Sequence, residues 1–168
     1  MFSRIFVLVA AGTLASASGR ALFALDAKTP GALTATLTGY QGAPPISTPG
    51  TGTFTIAPGP GGQSMEYELT YSDLKGVPVL SHIHFAMPGV TGGIMVFLCG
   101  GGGKPDCPMS PGTISGTILP SDVQPITAQG IAAGDFQKVV SAILADSTYV
   151  NVHTSRFIGG EIRGNLKK

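Results

Sequence analysis

The chain has no tryptophan, three histidines and two cysteines, and its charged residues make only 11% of 168 positions. Each scarcity excludes something. Without Trp, and with aromatics at 7%, there is no stacking platform for nucleotide bases. Ten basic residues stand against nine acidic ones, a formal charge of +1 with no basic block. That argues against nucleic acid or an anionic membrane surface as the partner. The sequence holds no G-x-S-x-G elbow, no P-loop, no H-E-x-x-H and no C-x-x-C, so the common hydrolase, nucleotide and zinc-protease signatures are missing. What is present suits one folded domain. Hydrophobic residues reach 43%, enough for a core. The 25 Gly and 13 Pro show no Gly-X-Y period, so they read as turns between short strands rather than as collagen or a low-complexity chain.

The first 17 residues read as a secretory signal peptide. Arg4 supplies the positive start, Ile5 to Leu14 the apolar stretch, and Ala15-Ser16-Ala17 a small-x-small cleavage site, with Gly19-Arg20-Ala21 as a later alternative. The apolar run is broken by Gly12 and Thr13 and is too short to span a bilayer, and no later segment could serve as an integral membrane segment. Cleavage would remove Arg4 and leave nine basic and nine acidic residues. The expected localisation is secreted or periplasmic. In such an oxidising compartment Cys99 and Cys107, joined by Gly100-Gly101-Gly102-Gly103-Lys104-Pro105-Asp106, read as one disulfide. Two free thiols are the alternative.

Alternation of apolar and polar residues marks strands at 33–38, 52–56, 64–71, 79–85, 94–98, 113–119, 149–154 and 161–166. The last two form a hairpin around 155–160. The predicted fold class is all-β, an antiparallel Greek-key sandwich or barrel. One segment has helical period: Phe136, Val139, Val140, Ile143 and Leu144 lie on one face. This predicts a short covering helix near 135–145, with Asp135 placed as its N-cap or as an acid in its first turn. A short helical turn is also expected within 121–129.

Two stretches are more specific. The first is Ser81-His82-Ile83-His84-Phe85, followed by Gly89-Val90-Thr91-Gly92-Gly93. The second is Tyr149-Val150-Asn151-Val152-His153-Thr154, followed by Phe157-Ile158-Gly159-Gly160-Glu161-Ile162-Arg163-Gly164. With Leu37-Thr38-Gly39-Tyr40-Gln41 and Pro44-Pro45, they resemble the CHRD (chordin-type) domain over residues 33–168, as a stand-alone domain behind a signal peptide. The glycine-rich insert between the cysteines departs from that pattern. The resemblance implies a secreted or cell-surface β module. It carries no settled activity.

All three histidines fall inside these two stretches. His82 and His84, at i and i+2 of a strand, project from one face, with Ile83 turned to the core. The alternation of Val150 and Val152 puts Tyr149, Asn151 and His153 on the polar face of their own strand. If the two strands meet, three imidazoles converge, a donor set suited to copper or zinc. Pairing of 153 with 161 would set 151 opposite 163 and 149 opposite 165. Glu161 is then expected to take the ring proton of His153, with Asn151, Arg163 and Tyr149 bordering the site. The plainer alternative is a structural polar cluster, with Glu161 and Arg163 in cross-strand pairs worth under ~1 kcal/mol each.

The leading expectation is therefore a non-catalytic extracytoplasmic binding module, with a copper or zinc ion on His82, His84 and His153 and no catalytic residues assigned. Its partner is an unidentified protein or small ligand. Copper/zinc superoxide dismutases also carry an H-x-H strand on a Greek-key barrel with a disulfide, so a small copper redox enzyme is the second reading. The similarity is one of outline, since that family needs more histidines than the three here. A structural or adhesive cell-surface domain is the third.

Overall fold

A computed structural model describes residues 31–167. The expected signal peptide lies outside the described residues. Eight strands follow in chain order: β1 Leu33–Thr38, β2 Thr51–Pro58, β3 Met65–Ser72, β4 Pro78–Phe85, β5 Gly93–Cys99, β6 Gly112–Ile118, β7 Thr148–Thr154 and β8 Ile162–Asn165. Among the described residues there is one α-helix, α1, which spans Phe136–Leu144 between β6 and β7. All the strand pairs are antiparallel, in one sheet of order β5-β4-β7-β8-β1-β2-β3-β6. The sheet curls into a nearly closed barrel. Its two edges, β5 and β6, are tied through β3: the Tyr67 hydroxyl donates to the Leu98 carbonyl at 3.0 Å. The Cys99–Cys107 disulfide, with 5.0 Å between the Cα atoms, fastens the loop leaving β5 on the same side.

Period-2 alternation explains why these segments are strands and which side of each is inside. In β3 the burial alternates strictly from Met65, with Tyr67, Leu69 and Tyr71 inward and Glu66 and Glu68 in water. Leu37, Phe54, Leu69, Ile83, Val150, Val152 and Ile162 meet in the barrel interior, all essentially without solvent contact. β-branched and aromatic side chains fit this pleated, half-buried surface. Close approach of backbones matters at one point on β8: a Cβ on Gly164 would lie 2.5 Å from the Thr36 carbonyl oxygen of β1. Only glycine lets these strands come together there.

The helix covers one barrel end. Phe136, Val139, Ala142 and Ile143 are buried, and the helix faces Leu33, Ile56 and Met65 at the strand ends. Asp135 occupies the N-cap position but makes no side-chain cap. Its carboxylate accepts from the Ala132 amide at 2.9 Å and pairs with Lys138 at 2.8 Å, so it braces the preceding turn instead. The helical turn expected at 121–129 is split into two 3-10 turns, Pro120–Asp122 and Thr127–Gln129.

For the site, the decisive feature is the adjacency of β4 and β7. They pair with His82 opposite Asn151 and His84 opposite Tyr149. On the far side of β7, Asn151 pairs with Arg163 and Tyr149 with Asn165 of β8, the register expected from the hairpin.

Candidate metal centre

The histidines sit on the outer face of the barrel, yet His82 and His84 are buried and His153 is half-buried. His82 is 2% exposed and His84 8%. Three elements cover them. The Phe97 ring of β5 stands edge-on to His82, with centroids 5.4 Å apart. The β4–β5 loop closes over His84, whose Nδ1 donates to the Gly92 carbonyl at 2.8 Å. The β7–β8 turn closes over His153, whose Nδ1 donates to the Ile158 carbonyl at 2.6 Å. That turn needs a glycine at 160. Its φ is +110°, and a Cβ there would press to 3.2 Å from Nδ2 of Asn151.

The three rings converge. One donor atom from each of His82, His84 and His153 lies within 4.8 Å of the other two. Ring centroids are 4.5 Å apart for His82 and His84, and 4.6 Å apart for His82 and His153. A carbonyl oxygen can only accept, so the Nδ1 atoms of His84 and His153 carry their protons and their Nε2 atoms carry the lone pairs. Nε2 of His84 and Nδ1 of His82 are buried with no hydrogen-bond partner. Nε2 of His153 accepts from Nδ2 of Asn151 at 2.8 Å, while Oδ1 of that amide is itself without a partner.

Electrostatics follow from burial. Desolvation, reinforced by the neighbouring His84 and His153, pushes His82 down to about 3. Burial pushes His84 down to about 4, against the opposing effect of its bond to Gly92. His153 is lowered by burial as well. The cluster is therefore neutral at physiological pH, which is the ligating form of imidazole.

Tyr149 and Arg163 border the cluster as a stack. The Tyr149 ring lies parallel to His84 at 4.5 Å, and the Arg163 guanidinium sits 3.4 Å over the same ring. Burial raises Tyr149. Glu161 behaves differently from the expectation. Although its position is opposite His153, its carboxylate turns to the other end of the turn. It accepts from Thr48 Oγ1 at 2.6 Å, the Lys75 amide at 2.7 Å and Thr154 Oγ1 at 2.8 Å. The Ile158 carbonyl holds the His153 proton in its place. The reason is that a carboxyl group as buried as that of Glu161, 1% exposed, needs several hydrogen-bond donors, and the loops beyond β1 and β3 bring them. Arg163 does not pair with Glu161 either; its Nη2 donates to the carbonyls of Val90 at 2.8 Å and Met87 at 3.3 Å.

Sequence reasoning missed Phe97 and the carbonyls of Gly92 and Ile158. Phe97 lies opposite His82 in the β4–β5 pairing, so the alternation of β5 could have pointed to it. Backbone carbonyls carry no residue signature and could not have been found that way.

Fold and cluster define a small β-barrel domain with three histidines gathered under loops on its outer face. The chain belongs to the CHRD domain family, whose profile matches residues 33–166, nearly all of the described structure. Comparison with curated proteins and with solved structures finds no significant match.

Proposed function

We propose that this CHRD domain is an extracytoplasmic binding module that holds one copper or zinc ion on His82, His84 and His153. The observation that carries the reading is the convergence of one ring nitrogen from each histidine within 4.8 Å, with His84 Nε2 and His82 Nδ1 buried and without a hydrogen-bond partner. A buried acceptor without a donor costs about 1–3 kcal/mol, and a metal ion removes that cost. The carbonyl bonds on His84 and His153 are the outer contacts that fix ligand tautomers. An all-imidazole donor set favours Cu or Zn over Mg or Ca. A bound ion would act as a Lewis acid or, if copper, exchange electrons. The chain's own residues orient the three rings, shed the competing protons and exclude water.

The disulfide supports export, and residues 1–17 would supply the signal. Among the described residues no helix is long and apolar enough to cross a membrane. A second reading has its own observation. Asn151 already satisfies His153 Nε2, as expected of a hydrogen-bonded structural cluster, and it must let go for all three rings to ligate. Titration of the metal-free protein with Cu(II) and Zn(II) separates the two. One ion per chain, lost in His84→Ala and His153→Ala with the β-sheet circular dichroism intact, supports the metal centre. No saturable binding to the wild type returns the cluster to a structural role.

A further inference from the structure

We infer that the glycine-rich loop from Gly100 to Cys107 is a disulfide-locked cover of the histidine cluster. While the Cys99–Cys107 bond is closed, the loop clamps the Phe97 ring of β5 against His82. Opening the bond frees that ring and uncovers the cluster from the β5 side. The inference rests on the metal-centre reading for its purpose but not for its test, which is made on metal-free protein.

The glycines are explained by what they touch. A Cβ on Gly101 would lie 2.7 Å from Cδ1 and Cε1 of Phe97, and one on Gly102 would lie 2.6 Å from Cδ2. Bare backbone therefore lies against the phenyl ring at two successive residues. At Gly102 the φ of +58° disfavours a side chain as well. The same phenyl ring stands edge-on to His82, with centroids 5.4 Å apart, and His82 is 2% exposed. Loop, phenyl and imidazole are thus three layers in contact.

This is the cover that can open. The other two are bonded to the rings beneath them, the Gly92 carbonyl to His84 and the Ile158 carbonyl to His153. A phenyl ring makes no such bond to His82. Within the loop, the Gly100 amide donates to the Pro105 carbonyl at 2.7 Å and the Lys104 amide to the Gly101 carbonyl at 3.0 Å, so these bonds do not hold it down. The disulfide ties one end to β5. Lys104 pins the tip through Asp122 at 2.9 Å and the Thr117 carbonyl at 3.2 Å. Gly102, Gly103, Pro105 and Asp106 are exposed. Once the covalent tie is cut, a glycine run with an ion pair at its tip remains, and such a segment opens locally. The chemistry is thiol–disulfide exchange with a dithiol. The two sulfurs of the dithiol join, and its two protons end on Cys99 and Cys107.

The experiment times carbethoxylation of each histidine by diethyl pyrocarbonate at pH 7, read by peptide mass mapping. It compares the disulfide-bonded protein with protein reduced by dithiothreitol and freed of it without oxygen. On reduction the His82 rate should rise about tenfold or more, the order by which so short a closed loop biases an opening. The rate at His153, under the β7–β8 turn, should stay as it was. Replacing both Cys99 and Cys107 by Ser should act as reduction does. Gly101→Ala leaves the disulfide intact and sets a methyl against Phe97, so it too should raise the His82 rate severalfold with the β-sheet circular dichroism unchanged. An unchanged His82 rate in folded, reduced protein overturns the cover. So does an equal rise at all three histidines, which marks general loosening. An unchanged rate in Gly101→Ala overturns the clamp assigned to the glycine backbone.

Discussion

Acidification of the metal-free protein is a direct probe of the histidine cluster. In the unfolded chain a histidine titrates near 6.5. In the fold His82 is pushed down to about 3 and His84 to about 4. Below pH 6.5 the unfolded chain therefore takes up protons that the native state refuses. Stability is complete above 6.5 and is lost as pH falls toward the folded values. Two such groups give a slope of about 2.7 kcal/mol per pH unit. Between pH 7.5 and 5, before carboxylates begin to protonate, the loss should approach about 4 kcal/mol, a large share of the ~5–15 kcal/mol of a typical domain. His153, lowered by burial too, acts in the same direction. Urea unfolding with a chelator present, at half-unit steps from pH 7.5 to 5, reads the slope directly. His84→Phe, which keeps a ring against Tyr149, should remove about half of it. A wild-type stability that is flat across this window would show that the rings are not held neutral and would refute the burial argument. The same displacement moves proton competition for metal from about 6.5, the ordinary imidazole value, to well below it. Cu(II) or Zn(II) binding should persist to about pH 5.

Further outcomes concern the supports of the site. Glu161→Ala strands a backbone amide and two hydroxyls; it should cost about 3–5 kcal/mol in denaturant titration, and Glu161→Gln about 1–2 kcal/mol. A loss under about 1 kcal/mol for the alanine variant would contradict the role assigned to the carboxylate. Replacing both Cys99 and Cys107 by Ser should lower stability by about 2.5 kcal/mol, as closure of so short a loop implies, and thiol labelling of the unreduced wild type should find no free cysteine. Gly164→Ala should cost about 2–4 kcal/mol, because the new methyl meets the Thr36 carbonyl across β1 and β8; a neutral substitution would show that these strands can part.

The sequence by itself determined whatever depends on local periodicity. Alternation located the strands to within a residue or two and divided inward Ile83, Val150 and Val152 from outward His82, His84 and His153. A 3.6-residue period isolated α1. Parity across a tight turn sufficed for the β7–β8 register, with 151 opposite 163. These are properties of neighbours along the chain. Only the tertiary structure decided that β4 lies against β7, which are separated by more than sixty residues, and so that the third histidine meets the other two. It also decided the fate of the outward face. Parity says that a side chain leaves the core, but not what covers it, and here Phe97 and two loops bury a face that alternation alone assigns to water. Glu161 shows the same limit. Its strand position is opposite His153, but a buried carboxylate goes where donors are, and those come from loops that no spacing in its own segment reveals. The His153 proton goes instead to a backbone carbonyl, a group every residue has and no sequence pattern marks.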